Sequence, residues 1–411
     1  MKDKKPIALI ALLFAAVFIA GIIMFIGSRR DPFRNSSEHR IVTVSLEGQA
    51  SVLRRGTGYG LKEGIGIIET DTLITDQDSG ASFKAGDICS FAMGENTRAA
   101  VIKDEQEILC IGQEQGTVIY DTTLGKGEVE LAVPSGSIVS ESGAVFSLEC
   151  YPGTQTLSVY RGEVKVPSGS GTLILETGER FTFVQDEEGK TESAEKDSIP
   201  IQGLSSFLLE KLALSEAQEA FTSEELSSEA NRRVLEMERA AAEKAAYEAE
   251  VIARGGTVAV ISSTKEISEY MTPDDIHSCT ISIVCHTILN NMDDLTPGLG
   301  VFVPANGIIL APTTVQYVEG ESVYDVLKRA CSYAGIPLKY SWTMKFGGYY
   351  IEGINNLCEF DCGPQSGWMY KVNGWFPNYG SSNYILKDGD IIVWEYTCEG
   401  LGADIGCYWG L

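Results

Sequence analysis

Residues 366–375 read SGWMYKVNGW, and residues 386–397 read LKDGDIIVWEYT. In both stretches aromatic and apolar side chains alternate with other residues, which is the period of a β-strand. Each stretch also contains an Asn-Gly or Asp-Gly pair, which favours a tight turn with positive φ. The two stretches therefore predict a compact β domain that carries several large rings. Such a domain binds or packs, and nothing in it indicates catalysis.

The composition of the chain limits both its domain number and its partners. Its 411 residues exceed the roughly 250–300 residues that one hydrophobic core usually serves, so we expect at least two domains. Acidic residues outnumber basic residues by 57 to 32, which gives a net charge of -25. Because such a field repels phosphate backbones, and no basic stripe with interleaved aromatics occurs, nucleic acid is not expected as a partner.

An uncharged apolar run extends over residues 6–28. About 20 apolar helical residues are enough to cross a bilayer, so residues 1–30 are predicted to form a cytoplasmic tail and a transmembrane anchor. The run is longer than the apolar core of a signal peptide and lacks a clear cleavage site, which favours an uncleaved anchor over a cleaved signal. Basic residues nearly balance across the run, but the short tail and the long region that follows it place the bulk of the chain outside the cell.

Two regions have the pattern of β structure. Residues 40–184 are rich in Val, Ile, Thr and Gly, and their short strands and turn residues predict an all-β sandwich or solenoid. Residues 257–411 contain the strand CTISIVC at 279–285 and a helix from Ser322 to Ala334 with one apolar face, which predicts an α+β domain. The chain is therefore expected to be mainly β, with an α+β C-terminal domain.

A helical spacer is predicted between these regions, over residues 200–256, where Ala, Glu, Leu and Arg predominate. Thr222 and Glu225 fit a capping box, and Gly255 follows the basic Arg254, so the second helix is expected between these two signals. Its apolar stripe is thin and rich in Ala, which favours a solvated spacer over a coiled-coil dimer. A straight helix here would hold the C-terminal domain tens of Å from the β domain, at about 1.5 Å per residue.

The aromatic residues near the C-terminus are the candidate ligand-binding residues. Strand alternation places Trp368 and Tyr370 on one face and Met369 and Lys371 on the other. Core packing is one interpretation of the rings, because small β domains bury aromatics for their area. The alternative is a groove in which flat rings stack on a sugar, a corrin or a peptide. The residues of this groove would be Trp368, Tyr370, Trp375, Phe376 and Tyr379.

Seven of the ten cysteines fall within residues 257–411. Outside the cell disulfides become possible, although their connectivity does not follow from the sequence. His277 and His286 lie near two of these cysteines, but strand alternation puts His286 on the opposite face, so no metal site is predicted. The cysteines that are candidates for disulfides are Cys279, Cys285, Cys358, Cys362 and Cys398.

No catalytic motif is present. The chain contains three His, and it lacks a Gly-x-Ser-x-Gly elbow, a phosphate-binding Gly loop and a His-Glu-x-x-His motif, so no enzyme activity is predicted. The Asp-Gly-Asp stretch at residues 388–390 is interpreted as a hairpin turn, because the ligand spacing of a calcium loop is missing. The residues themselves indicate no cofactor.

Residues 42–184 resemble a FecR-like domain. The resemblance rests on GQASVL at 48–53, TLITDQDSGA at 72–81 and GEVKV at 162–166. It departs from the family at SGAVF, residues 142–146, where the family usually has Gly-Thr before a strand. The resemblance implies a β domain of the cell envelope. Classical members carry a cytoplasmic segment that governs a sigma factor, and the few residues before the apolar run do not supply one.

Residues 278–407 resemble the transcobalamin-like C-terminal domain, a relative of the ligand-binding β-grasp fold. The resemblance rests on TILNNM at 287–292, EGESVYDVL at 319–327, YIEGIN at 350–355, the aromatic stretch at 366–375, and KDGD at 387–390. It implies a β-rich module that binds a ligand or presents a surface. In cobalamin carriers the equivalent domain contacts the corrin, so the resemblance makes cobalamin a candidate ligand.

Together these patterns favour a non-enzymatic, single-pass protein of the cell surface. Its terminal domain would bind a small molecule, a glycan or a protein of the envelope. One alternative is an envelope sensor that signals or assembles through the FecR-like region, with a purely structural terminal domain. Another is a corrinoid-binding protein, which would bind cobalamin specifically.

Overall fold

The computed structural model describes most of the chain after its first forty residues. The apolar run at residues 6–28, which is predicted to be the anchor, lies outside the described residues. Among the helices within the described ranges, none is both long and apolar enough to cross a membrane. The described residues are 41–104, 108–133, 136–168, 171–185, 191–262, 276–343 and 347–407.

The first part of the described chain is built from strands alone. In strands such as β2 and β10, buried side chains alternate with partly exposed ones, because one face of the strand packs against a core. The strands are β1 (Ile41–Glu47), β2 (Ala50–Arg54), β3 (Thr57–Gly60), β4 (Gly66–Ile67), β5 (Thr72–Thr75), β6 (Gly80–Ala85), β7 (Cys89–Met93), β8 (Arg98–Asp104), β9 (Ile108–Asp121), β10 (Glu128–Val133), β11 (Gly136–Ser140), β12 (Val145–Tyr151), β13 (Thr154–Arg161), β14 (Glu163–Ser168), β15 (Gly171–Glu176), β16 (Glu179–Gln185) and β17 (Thr191–Ser198).

These strands hydrogen-bond into one network that folds into two layers. Layer A contains, in spatial order, β4, β1, β6, β7, the second half of β9, β12, β13, β16 and β17. Layer B contains β3, β2, β5, β8, the first half of β9, β10, β11, β14 and β15. Side chains from both layers meet in one buried core. The prediction of a mainly β chain is confirmed.

An aromatic ladder crosses the core side of layer A. Phe83 stacks on Phe91 at 4.9 Å between ring centroids, Phe91 on Tyr120 at 5.9 Å, and Tyr120 on Phe146 at 5.1 Å. The strand register makes this possible, because these residues are direct cross-strand partners on four adjacent strands. The ladder fixes the register of layer A, since a slip by one residue would move every ring to the outer face.

Two glycines carry the chain from one layer to the other. At Gly116, with a φ of 85°, β9 leaves layer B and enters layer A. A Cβ at this position would lie 2.2 Å from the Thr97 Oγ1 atom. At Gly162, with a φ of 75°, the chain passes from β13 in layer A to β14 in layer B. Only glycine fits both the positive φ and the close approach of the neighbouring backbone.

Two helices follow the strands. Helix α1 (Ser206–Leu214) buries three leucines against the outer face of layer A, in a small core that also contains Tyr160. Helix α2 (Ser223–Ala253) begins at a capping box formed by Thr222 and Glu225, and Gly255 follows its end with a φ of 76°. The predicted bounds of the second helix are confirmed to within one residue, because local capping chemistry sets both ends.

The C-terminal domain has the predicted α+β arrangement. Its five-stranded sheet has the order β18-β20-β19-β25-β24, and a three-stranded sheet has the order β21-β22-β23. Helix α4 packs its apolar face on the five-stranded sheet, and α3 is a short helix after β19. The elements are β18 (Val260–Ile261), β19 (Ile276–Val284), α3 (His286–Leu289), β20 (Ile308–Val318), α4 (Val323–Ala334), β21 (Leu338–Thr343), β22 (Gly348–Ile354), β23 (Leu357–Cys358), β24 (Gly367–Val372) and β25 (Ile391–Thr397).

Helix α2 does not hold the two β regions apart, and this differs from the expectation of an extended spacer. Its Glu236 side chain pairs with Lys371 on β24 at 2.6 Å, and Lys244 donates a hydrogen bond to Thr280 on β19 at 3.1 Å. The helix therefore lies against the face of the five-stranded sheet opposite α4. The physical reason is that charged side chains on α2 find partners on this polar sheet face, which an apolar stripe alone does not reveal.

Candidate functional site

A cleft of about 390 Å³ separates the outer face of layer A from the C-terminal domain. Layer A supplies the floor of this interdomain cleft, and β22, β24, β25 and the loop after β24 supply its roof. The floor residues are Thr154, Thr156, Arg180 and Thr182, and the roof residues are Tyr349, Tyr350, Ile351, Trp368, Met369, Tyr370, Pro377, Asn378, Tyr379, Gly380, Ser381 and Trp394.

The floor is polar because layer A turns its hydrophobic side chains inward. Thr156 pairs across the strands with Glu149 on one side and with Thr182 on the other, so the three side chains form one row on the outer face. Arg180 on the same face is buried, and its Nη2 atom lies 3.2 Å from the Asp197 carboxylate. The floor therefore offers hydroxyl groups, while its one guanidinium already has a carboxylate partner.

Glu149 is a buried carboxyl group beside this floor. Burial raises the pKa of Glu149 to about 7, and the nearby Arg180 charge opposes that rise only in part. Burial likewise raises the pKa of the neighbouring Tyr160 phenol, whose oxygen lies 3.0 Å from the Ser147 hydroxyl. Below neutral pH the outer face of layer A consequently carries a protonated acid next to the cleft.

The roof consists mainly of aromatic side chains held by hydrogen bonds. The Trp368 Nε1 atom donates to the Leu357 carbonyl at 2.7 Å, and the Tyr370 hydroxyl donates to the Tyr379 carbonyl at 2.8 Å. The rings of Tyr370 and Trp394 lie 5.4 Å apart, as expected for cross-strand partners on β24 and β25. Burial raises the pKa of Tyr370 well above its ordinary value, so its phenol stays neutral. The roof is thus a fixed, uncharged aromatic surface.

Two polar atoms on the roof residues lack a hydrogen-bond partner among the described residues. They are Trp394 Nε1, a donor, and Asn378 Oδ1, an acceptor. A buried polar atom without a partner costs about 1–3 kcal/mol, so native structures rarely keep one without a role. Both residues line the cleft, but these two atoms are themselves buried, so a molecule in the cleft would reach them only after a side-chain rearrangement.

Polar contacts fasten the C-terminal domain to the β sandwich beside the cleft. Lys387 lies 2.8 Å from a carboxylate oxygen of Asp78 and 2.8 Å from one of Glu95. The Gln77 amide donates a hydrogen bond to the Leu386 carbonyl at 2.7 Å. These contacts join the β5–β6 and β7–β8 turns of the sandwich to the turn before β25. They set the distance between the floor and the roof.

Three of the five predicted groove residues lie in the interdomain cleft, and two do not. Trp368, Tyr370 and Tyr379 line it, and the first two also belong to the core of the C-terminal domain. Trp375 is buried elsewhere, with its Nε1 atom 3.4 Å from the Gly203 carbonyl, and Phe376 lies 5.6 Å from the Lys371 Nζ atom. The sequence left core packing and a groove open as alternatives. In the structure the same sheet serves both, because Trp368 and Tyr370 belong to the core and also line the cleft.

The tight turn at Asn373 and Gly374 explains why Trp375 and Phe376 do not line the interdomain cleft. Asn373 has a φ of 51° and Gly374 a φ of 76°, so the chain reverses directly after β24. The next residues then run toward α2, whose Arg232 donates a hydrogen bond to the Gly374 carbonyl at 3.1 Å. Sequence reasoning missed the ring of Trp394, although its strand alternation could have indicated it. It also missed the floor, for which no signal exists in the aromatic stretches.

The five cysteines that are candidates for disulfides are thiols in this structure. Cys362 and Cys398 hydrogen-bond to each other, and the Cys362 Sγ atom also donates to the Asn291 carbonyl at 3.4 Å. Cys279 instead contacts the Val315 carbonyl at 3.7 Å. Burial raises the pKa of Cys362 and of Cys279 to about 12. Disulfide formation stays a prediction. Among the five candidates, the structure brings Cys362 and Cys398 together.

The Asp-Gly-Asp stretch is a turn whose carboxylates bond within the protein. The Asp388 Oδ1 atom accepts from the Ser278 amide at 2.9 Å, and the Asp390 carboxylate accepts from the Lys387 amide and from the Asn373 side chain. Gly389 has a φ of 83°, as a turn requires, but the predicted hairpin is wrong, because β25 pairs with β19 and β24 and not with the segment before the turn. Within the described part of the chain, no group of three or more His, Cys, Asp or Glu side chains could hold a metal ion.

Solved structures with partial similarity to the chain were also found. Haptocorrin in complex with Cbi has 16% identity and a TM-score of 0.23, and the match covers 33% of this chain and 28% of haptocorrin. The chain therefore spans little more than a quarter of the length of that protein. A putative anti-sigma factor from Parabacteroides distasonis has 10% identity and a TM-score of 0.28, with 66% of this chain and 95% of the other covered. With scores this low, the similarity assigns neither fold nor ligand.

A putative metal binding protein from Ruminococcus gnavus is a further match, with 11% identity, a TM-score of 0.19, and 29% of this chain and 96% of the other covered. No curated protein matches the sequence. The family model of DUF4430, a domain of unknown function, matches residues 320–398, which contain α4, the two aromatic stretches and every residue in the roof of the interdomain cleft.

Proposed function

We propose that the protein is a non-enzymatic binding protein of the cell surface and that its ligand occupies the interdomain cleft. The observation that carries this proposal is the lining, with aromatic rings on one side and threonine hydroxyls on the other. Ligand sites are typically concave, mostly apolar, and placed between domains, with a few polar groups that orient the ligand. The proposal assigns no reaction to the site.

The size of the cleft limits the ligand. Its volume of about 390 Å³ lies near the lower end of the roughly 300–1,000 Å³ that is typical of ligand pockets. A small molecule or one unit of a larger chain fits this volume better than a whole corrinoid does. Cobalamin therefore enters the proposal as a second candidate, which is motivated by the resemblance of residues 278–407 to transcobalamin-like domains.

The location at the cell surface is part of the same proposal. It is supported by the apolar run at residues 6–28, which is long enough to anchor the chain in a bilayer. The cleft would then face the outside of the cell, carried by a FecR-like β sandwich. Protease treatment of intact cells tests the topology, because protection of the whole chain after residue 30 contradicts an outside location.

Calorimetric titration of the full-length protein in detergent tests the ligand site. The panel contains cyanocobalamin, muropeptides from the cell wall, and neutral oligosaccharides. The substitution Thr154→Phe fills the floor of the cleft without removing a buried ring, and it should abolish binding. Thr172→Phe places the same ring on the exposed strand β15 and should leave binding unchanged. No binding by any member of the panel contradicts the proposal and favours a scaffold.

A role as an envelope sensor is a second candidate function, and one observation favours it. Because the floor and the roof belong to different domains, a ligand between them stabilises their contact. Amide hydrogen exchange of residues 386–388 and of β1, measured with and without ligand, separates the two roles. Both roles slow exchange at this contact. Slower exchange that also reaches β1, which lies outside the cleft and follows the apolar run, supports a sensor, and a change confined to the cleft and the domain contact supports simple binding.

A further inference from the structure

A band of aromatic rings continues from the interdomain cleft onto the open surface. Trp342 on β21 pairs across the strands with Tyr349 on β22, and Tyr349 lines the cleft. Their ring centroids lie 5.2 Å apart with an interplanar angle of 82°. Tyr340, two residues before Trp342 on the same face of β21, lies 5.4 Å from Tyr349. Three rings therefore meet at the edge of the cleft.

Trp342 stands out among the tryptophans that the structure describes. Its side chain is 58% exposed, whereas Trp368, Trp375 and Trp394 are all buried. An exposed ring of this size contributes little to the core of its own domain. Its indole face is instead available to a molecule that extends out of the cleft, and aromatic faces bind flat apolar surfaces well.

The charges at the floor of the cleft favour a neutral ligand. The guanidinium that lines the cleft, Arg180, already pairs with Asp197 at 3.2 Å. The chain as a whole carries a net charge of -25, which repels polyanions. The remaining polar groups of the floor are the hydroxyls of Thr154, Thr156 and Thr182. They suit a ligand whose own polar groups are hydroxyls.

We infer that the ligand is a neutral oligosaccharide, with one sugar unit inside the cleft and the next unit stacked on Trp342. This inference rests on the proposed function, since it assigns a ligand class to the same cleft. A pyranose unit has an apolar C–H face that stacks on aromatic rings. Its hydroxyls both donate and accept, which suits the threonine hydroxyls of the floor. A peptide could use the rings but lacks this density of hydroxyls.

The test is calorimetric titration of the full-length protein with cello-, manno-, xylo- and chito-oligosaccharides of one to four units. For the sugar series that binds, affinity should rise about tenfold from one unit to two or more, as expected for one added aromatic contact. Trp342→Ala should remove this rise and leave the affinity for the single sugar unchanged. Tyr333→Ala, at a residue of α4 that is 62% exposed and outside the cleft, should change neither value.

The outcomes separate this inference from the proposed function. If muropeptides or cobalamin bind, Thr154→Phe abolishes that binding, and no oligosaccharide binds, the sugar inference is wrong and the cleft proposal stands. If a proline-rich or other peptide binds in place of sugars, the inference is equally wrong. If oligosaccharides bind and Thr154→Phe has no effect, the site lies elsewhere and both proposals fail.

Discussion

The ring of Tyr379, in the C-terminal domain, stacks on the ring of Tyr151 at the end of β12, with 4.1 Å between the ring centroids and 25° between the planes. This contact joins two residues that are far apart in the chain at the edge of the interdomain cleft. Burial raises the pKa of Tyr379 well above its ordinary value, so the contact is between neutral rings. It is the most direct aromatic link between the β sandwich and the C-terminal domain.

The stack should contribute a measurable coupling energy. In a double-mutant cycle by urea unfolding, Tyr151→Ala and Tyr379→Ala should show a coupling of about 0.5–1.5 kcal/mol, because stacked aromatic pairs contribute that much beyond burial. Tyr151→Ala combined with Tyr333→Ala should be additive, since Tyr333 is exposed on α4. Additivity of the first pair would show that the two domains do not rest on this contact.

The contribution of Lys387 to the contact between the two domains should fall as the salt concentration rises. Its two carboxylate partners are half exposed, so each pair is worth about 0.2–1 kcal/mol and is screened at high ionic strength. Lys387→Met should speed amide hydrogen exchange at residues 76–79 and 386–388 in dilute buffer, and less so in 1 M salt, where the Debye length is about 3 Å.

The matched control for Lys387 is Lys165→Met. Lys165 pairs with Glu141 at 2.6 Å within the β sandwich and does not touch the C-terminal domain contact. This variant should leave exchange at both segments unchanged. Equally faster amide exchange in the two variants would mean that loss of any surface lysine destabilises the protein. The prediction of a specific role for Lys387 would then be wrong.

Glu149 should make the stability of the protein fall as the pH rises toward neutral. Its carboxyl has an ordinary pKa of 4.5, which applies in the unfolded chain, and a pKa of about 7 when folded. The folded state therefore binds more protons between these values, so the free energy of unfolding decreases across this window and levels off above about 7. The shift corresponds to a loss of about 3 kcal/mol.

Glu149→Gln tests this pH dependence, because the amide keeps the shape of the carboxyl and cannot ionise. Urea unfolding between pH 4.5 and 8 should show a smaller decrease in stability for this variant than for the natural chain. Glu163→Gln, at an exposed position on β14, should keep the full decrease. Identical profiles for Glu149→Gln and the natural chain would assign the effect to other groups.

Oxidation should join Cys362 to Cys398 before any other pair among the five candidates. Their thiols are in contact, and burial raises the pKa of Cys362 to about 12, so the reactive thiolate is scarce at neutral pH and the folded protein should oxidise slowly. Mass spectrometry of tryptic peptides after treatment with oxidised glutathione should show this crosslink, with Cys279 still alkylated. A crosslink between Cys279 and Cys285 would contradict the expectation.

Much of the local structure follows from the sequence. Alternation on β24 and β25 and the Asn-Gly turn at residues 373–374 depend on side-chain period and φ preference, which neighbouring residues decide. The ends of α2 are equally local, because Thr222 caps one end and Gly255 follows the other. For these elements the pattern of a dozen residues contains all the physical information that is needed.

The candidate site depends on contacts that no local pattern contains. Thr154 and Thr182 face the roof only because β13 and β16 lie side by side in layer A and the C-terminal domain covers them. Trp375 belongs to the same aromatic stretch as Trp368, yet the turn between them sends it toward α2. Alternation indicates on which face of a strand a ring lies. It does not indicate which distant surface packs on that face.

The passage of β9 from one layer to the other at Gly116 affects how the sandwich comes apart. One continuous strand takes part in the hydrogen-bond ladders of both layers, with β8 and β10 in one and with β7 and β12 in the other. Separating one layer from the other therefore breaks hydrogen bonds of β9 in both layers, so the two layers cannot unfold one after the other. A load applied across the β sandwich would therefore meet a single, all-or-none mechanical unit.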